Sequence, residues 1–349
     1  MSEPAPPNPR RGPIVAVILF LAAAWRLLDI RLHPWSPDQQ FTVDLASGTW
    51  GELLARTTAD VHPPLYYALV KVWYIFTPDT LDSAQVFSVL ISTATLYLIW
   101  KLATTEWGER AGWIALVCAA FAPYAVFWGH MARNHQLLPL AVVWALLARS
   151  RFLANSSRAQ WWSSAAALAF AMQTNYMGGV FVALWLASIL IEYRVPLRER
   201  FTFAGSAAPG AILFAPWVPI LLEHTASSNV NAGFFQEQVS PIYFYYHALF
   251  GDMVAYQPNQ EGLLFIVCLL IFAIPSAIGL TTFQGKPGLA FLLVAMPLVP
   301  IAMVSVGGWT LAERHLLFAL PLFYAWWGSA VDASIRKFRR APSTPTEAA

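Results

Sequence analysis

Long apolar runs cut by short polar breaks recur from residue 14 to residue 332. They lie near 14–30, 83–103, 111–129, 136–153, 162–176, 177–192, 203–221, 262–281, 288–306 and 315–332. Crossing a bilayer takes roughly 20 apolar residues as a helix, and a backbone in lipid must satisfy its own polar groups. The pattern therefore predicts an all-α polytopic membrane protein with about ten transmembrane helices. Composition agrees: 11% of residues are charged, where a soluble domain carries about a quarter. A net charge of +2 gives no basic surface for nucleic acid. Cys118 and Cys268 both sit in apolar runs and read as core or lipid-facing residues, not as a disulfide or metal pair.

One apolar stretch does not fit the series. "DVHPPLYYALVKVW" (60–73) opens with Asp, His and two prolines. From Pro64 to Phe76 it offers only about 13 residues, too few to span. Charge decides its placement. With Arg10 and Arg11 in the cytoplasm and Pro64–Phe76 not crossing, the basic breaks "KLATTEWGERAG", "ARSRFLANSSR", "EYRVPLRER", "TTFQGKPG" and "RKFRR" fall on the cytoplasmic side, as the positive-inside rule requires. A crossing would move them outside. The segment is expected to lie along or dip into the outer face, with both termini inside. Arg10 and Arg11 before an apolar run also resemble a signal peptide, but the topology needs a retained first helix.

The resulting organisation is a Pro-rich, disordered cytoplasmic stretch over 1–13, a membrane-embedded domain over 14–332, and a basic cytoplasmic tail over 333–349. Within the domain, a first outer loop covers 31–82 and a long outer loop 222–261. Polar residues gather on the outer side, so chemistry is sought there.

Asp38 follows the first apolar run. A carboxylate at headgroup level can act as a general base toward a hydroxyl; the plainer role is a helix cap or a solvated acid. Downstream, "VDLASGTWGELLART" has apolar residues at helical spacing, which predicts an amphipathic interfacial helix. Asp60 and His62 flank Val61 before Pro63, which favours extended backbone and one shared face; they could bind an acceptor or phosphate, or cap a helix. Arg133 lies in the polar cluster "GHMARNHQ" with His135. Its fork of donors suits phosphate; snorkelling is the alternative. Arg314 stands at the last outer break against the positive-inside bias. Asn175 and Tyr176, in the tight hairpin "TNYMGG", could line a polar pocket, with Gly178 and Gly179 serving a turn or close helix contact. "SPIYFYYHALFG" reads as a second interfacial helix whose Tyr245, Tyr246 and His247 anchor in the membrane or stack on a sugar. Asp60, His62 and His247 could assemble a divalent-metal site, although the spacing does not require one.

The order of these features carries a resemblance. An outer Asp follows the first helix, then comes "ASGTWGELLARTTADVHPPLYYALVKVW", then "AR", "NY", "APW" and "ERHLLFALPLF". Over roughly residues 14–332 this resembles the bacterial branch of the GT-C membrane glycosyltransferases, relatives of the dolichyl-phosphate-mannose protein mannosyltransferases and the lipid A aminoarabinose transferases. "HPPLYY" is the most specific element. The resemblance implies transfer of a sugar from a polyprenyl-phosphate donor to a lipid, glycan or protein acceptor, with inversion, on the outer face of the bacterial inner membrane. It implies Asp38 as the catalytic acid of the first loop, acting as base or as acceptor-orienting group. Asp60, His62, Arg133, His135, Asn175, Tyr176 and Arg314 would bind substrate, with no metal ligand among them. Four positions depart from the family pattern. Gln39 stands where relatives carry a second acid beside the first, and Met131 where an acid precedes the arginine. His135 replaces a tyrosine, and Asn175 replaces the histidine of a His-Tyr pair. With one acid left, the alternative is a non-catalytic protein that binds or translocates polyprenyl phosphate, or an inactive subunit of a glycan-assembly complex.

Overall fold

The computed structural model describes residues 11–32, 36–58, 62–226, 240–251, 262–307 and 313–339. Asp60, the terminal stretches 1–10 and 340–349, and parts of the long outer loop lie outside them. All regular structure among these residues is helical. The chain opens with α1 (Arg11–Asp29), then three short helices, α2 (Pro37–Ser47), α3 (Trp50–Thr58) and α4 (Leu65–Trp73). A long α5 (Leu81–Trp107) precedes the bent pair α6 (Glu109–Phe121) and α7 (Pro123–His130). Next come α8 (Leu137–Ala154), α9 (Arg158–Thr174), α10 (Tyr176–Leu190) and the consecutive α11 (Leu197–Ala204), α12 (Ala208–Phe214) and α13 (Val218–Ala226). The last four are α14 (Pro241–Phe250), α15 (Gly262–Gly279), α16 (Pro287–Gly307) and α17 (Leu320–Arg339), the last preceded by a 3₁₀ turn over Glu313–Ala319.

Six helical stretches among the described residues are long and apolar enough to cross a membrane, or seven if α6 and α7, bent by 62°, form one span. The other three expected spans exist as the helices α9, α10 and α16. At 17 and 15 residues, α9 and α10 reach only about 25 and 22 Å, short of a hydrocarbon core of about 30 Å. The half-length helix after "HPP" is α4, nine residues long and thus about 14 Å.

The centre of the bundle is α17, fully enclosed along most of its length and packed on α5, α6 and α15. By contrast α1 and α15 turn large apolar side chains outward, among them Phe20, Trp25, Ile266 and Leu270, as helices facing lipid do. Both cysteines are free: Cys268 is buried and Cys118 half-buried.

Two expectations are corrected. The predicted interfacial helix over 43–57 is two helices, because Gly48 is extended (φ −69°, ψ −179°) and Thr49 starts a new cap. The Thr49 N–H donates to Glu52 Oε2 at 2.6 Å, and the Glu52 N–H to Thr49 Oγ1 at 3.2 Å. This is a capping box, and its bonds hold the Glu52 carboxyl below its ordinary range. The aromatic helix α14 is docked in the bundle rather than laid on its surface. Tyr245 Oη donates to Leu293 O at 2.6 Å, and its ring stacks on Phe323 at 4.4 Å. Tyr245 is therefore committed to packing and not presented to a sugar.

Candidate active site

Pro37 at the first position of α2 pre-sets the helical backbone. The first turn then places Asp38 at the surface and Gln39 inside. Asp38, the acid at a helix N-terminus, is favoured there by the helix dipole. Gln39 is 1% exposed, and its Oε1 accepts hydrogen bonds from Gln85 Nε2 at 3.0 Å and from the Ala132 N–H at 3.1 Å. It ties α2 to α5 and to the break after α7.

That break presents Arg133, only 8% exposed, so it does not reach out to solvent. Its Nη1 donates to Asp38 O at 3.2 Å and to Tyr67 Oη at 3.3 Å, and the guanidinium lies 5.8 Å from the Phe41 ring centre. Arg133 thereby straps α2 to α4. Its Nε makes no hydrogen bond among the described residues. Proline-fronted α4 is anchored by Tyr66, whose hydroxyl lies 2.7 Å from Ser88 Oγ and is pushed above its ordinary pKa by burial.

His62 and His135 meet edge to face with ring centres 6.4 Å apart. The buried His135 ring also packs edge-on to Trp128 at 5.5 Å and is close enough to feel the charges of Arg133 and Arg314. Arg314 reaches this place because the 3₁₀ turn Glu313–Ala319 packs against the turn Asn134–Gln136 and the start of α8. Its guanidinium has no hydrogen bond or ion pair among the described residues. Beside it, Glu313 Oε2 is 2.6 Å from His247 Nδ1.

The structure thus brings Asp38's helix, His62, Arg133, His135 and Arg314 to one rim of the bundle. Asn175 is attached to that rim less directly. Its side chain caps α10, accepting the Met177 N–H at 2.9 Å, while Asn134 Nδ2 donates to Thr174 O next door at 3.0 Å. Tyr176 turns toward Phe214, 6.4 Å away. Gly178 serves close packing, since a Cβ there would sit 1.9 Å from Ala171 O, whereas Gly179 faces open space. Tyr67, Phe41 and His315 belong to the rim and were missed. Two of them are adjacent in sequence to motif residues, in "HPPLYY" and "ERH", which was the available signal. No group of three or more metal-ligating side chains occurs among the described residues, and His247 is paired with Glu313.

Chemically the rim sets two arginine cations and nearby imidazole rings beside one surface carboxylate. Below it lies a cavity of about 50 Å³ lined by Arg26, Ser92, Trp128, Gln136 and Tyr324.

Comparisons with known proteins bear on the fold. The sequence profile of the dolichyl-phosphate-mannose-protein mannosyltransferases matches residues 61–220, which include His62, Arg133, His135, Asn175 and Tyr176. A comparison with curated proteins finds no match. ArnT from Cupriavidus metallidurans, solved bound to undecaprenyl phosphate, is similar with a TM-score of 0.59 at 16% identity, over 91% of this chain and 59% of that one. The Archaeoglobus fulgidus oligosaccharyltransferase in its apo form is similar with a TM-score of 0.52 at 12% identity, over 96% of this chain and 53% of that one. This chain therefore spans somewhat over half the length of either. The likeness to GT-C membrane glycosyltransferases holds in fold across the chain and in sequence over 61–220.

Proposed function

We propose that this protein is a membrane glycosyltransferase that takes its sugar from a polyprenyl-phosphate donor. The acceptor is a hydroxyl or amine of a lipid, glycan or protein, and the site faces outward from the bacterial inner membrane, with both termini cytoplasmic. The observation that carries the reading is the strap from Arg133 to Asp38 and Tyr67 within the rim that also holds His62, His135 and Arg314.

In the reaction, the acceptor oxygen or nitrogen attacks the anomeric carbon from the face opposite the lipid phosphate. Asp38 takes the acceptor's proton as the new bond forms. The bond from the anomeric carbon to the phosphate oxygen breaks, and its electron pair leaves with the polyprenyl phosphate. Arg314 and the free edge of Arg133 stabilise that growing charge. One displacement inverts the anomeric centre. We assign His62, His135, Asn175 and Tyr176 to the acceptor or sugar side, and Asp60, which lies outside the described residues, on its sequence position beside His62 alone.

The test is label transfer from radiolabelled polyprenyl-phosphate sugars to a membrane extract, by purified wild type and Asp38→Asn. The expected result is loss of at least ~100-fold in transfer with an unchanged melting temperature. Full transfer by the variant would remove Asp38 from the chemistry. A second reading has one observation in its favour. Gln39, in the place of a second acid, is neutral and committed to Gln85 and Ala132, which suits a protein that binds the lipid phosphate without transfer. Equal binding and no transfer by both proteins would select that reading.

A further inference from the structure

A separate cavity of about 350 Å³ opens at the opposite end of the chain's charge pattern, between the α8–α9 and α10–α11 connections. Its walls are fixed. Ser156 Oγ donates to Glu199 Oε2 at 2.8 Å, Trp161 Nε1 donates to Thr202 O at 2.8 Å, and Phe152 stacks on Phe203 at 4.0 Å. Two arginines line it, Arg158 and Arg198. Neither guanidinium has a hydrogen bond or ion pair among the described residues. The carboxylate in the lining, Glu199, is held by Ser156.

Arg158 and Arg198 stand in the first turns of α9 and α11. A helix N-terminus already carries partial positive charge, so a cation there is unfavourable. Both side chains are exposed, and two cations beside one carboxylate in the lining leave a net positive site that an anion would neutralise. Exposed apolar side chains share these helices: Trp162 lies one turn after Arg158 on α9, Leu197 precedes Arg198 on α11 and Phe201 follows it within a turn, and all three are more than half exposed. A guanidinium pair on helices that also expose apolar side chains matches a molecule with a phosphate head and hydrocarbon tails.

We infer that this cavity is a binding site for an anionic phospholipid, with Arg158 and Arg198 holding the headgroup phosphate and the apolar edge meeting the acyl chains. With the orientation proposed above it belongs to the cytoplasmic leaflet, at the far ends of α8 and α9 from the outer rim. The binding itself does not depend on whether the rim transfers sugar.

Native mass spectrometry of the full-length protein, with added phosphatidylglycerol, phosphatidylcholine or inorganic phosphate, tests it. The expected result is a phosphatidylglycerol adduct on wild type that weakens by about tenfold or more in R158Q/R198Q and recovers in part in R158K/R198K. Phosphatidylcholine should bind more weakly and equally to all three. An unchanged phosphatidylglycerol adduct in R158Q/R198Q overturns the inference, and so does equal binding of the two lipids by wild type. If inorganic phosphate binds as tightly as phosphatidylglycerol, the ligand is a soluble phosphate and the lipid assignment fails. Label transfer is followed in the same preparations. Its absence, alongside an arginine-dependent adduct, would sink the transferase reading and leave this site standing.

Discussion

The Arg133 guanidinium holds the Asp38 carbonyl and the Tyr67 hydroxyl with one nitrogen. That leaves its remaining edge for an incoming oxygen. A buried charged donor of this kind contributes about 1.5–3 kcal/mol, so Arg133→Ala is expected to lower thermal stability and to loosen the first turn of α2 together. Hydrogen exchange at residues 37–41 reads the loosening, and polyprenyl-phosphate binding reads the lost charge. Arg133→Lys keeps the charge without the fork, so binding should recover in part while exchange stays fast. Unchanged exchange in Arg133→Ala would refute the strap. Gln39 shows what one residue hides from the sequence. Read along the chain, it is a lost acid. In space it is a fully buried amide joining three segments, and a carboxylate there would carry a charge into a place with no cation bonded to it. The acid Asp38, by contrast, was legible because its place after the first helix depends only on local order.

At the scale of elements, the bend between α6 and α7 decides where the second outer break begins. Pro123 has no N–H, so the Ala119 carbonyl loses its helical donor. Arg26 of α1 supplies the replacement. It is 1% exposed, and donates to Ala120 O at 2.9 Å, to Ala119 O at 3.4 Å and to Ala125 O at 3.3 Å. Gly129 makes room for it, since a Cβ there would lie 2.5 Å from Arg26 Nε. Arg26→Met should leave carbonyls of the bend unpaired at about 1–3 kcal/mol each, and Gly129→Ala should displace the same side chain. A clear fall in melting temperature for both, measured in detergent, is the expected outcome; two stable variants would show that the bend holds without its arginine. Most elements were legible from the sequence because an apolar run and its polar ends are local. The division of α2 from α3 was legible too, in the Thr49-to-Glu52 capping spacing, but a continuous apolar periodicity masked it. Arg26 was not legible. An arginine near the end of an apolar run looks like a flank, and only the fold reveals the carbonyls it serves.

At the scale of the whole molecule, the short hairpin of α9 and α10 fits the rim above it. Its apex, Asn175, lies beside Thr174, whose carbonyl Asn134 binds. The hairpin therefore ends at the level of Arg133 and His135, and further length would drive it through the site. A second cross-tie lies at the other end of the bundle. Arg149 and Glu192 pair at 2.6 Å, both enclosed, and Lys286 meets Glu106 at 2.5 Å. These four charges join the ends of α5 and α8, the chain just after α10, and the chain just before α16. The basic breaks gather around this end, and the rim residues around the other. That separation is what the positive-inside rule turns into an orientation. It depends on α4 not crossing, and nine residues are too few for that. In a background with Cys118 and Cys268 replaced by alanine, cysteines at Asp79 and Asn155, both exposed, test it with a membrane-impermeant maleimide. Asp79→Cys should be labelled from the outer side of intact cells, and Asn155→Cys only after inverted vesicles are prepared. The reverse pattern would place the rim in the cytoplasm, where it would not meet a donor on the outer leaflet, and would move the arginine-lined cavity to the outer one.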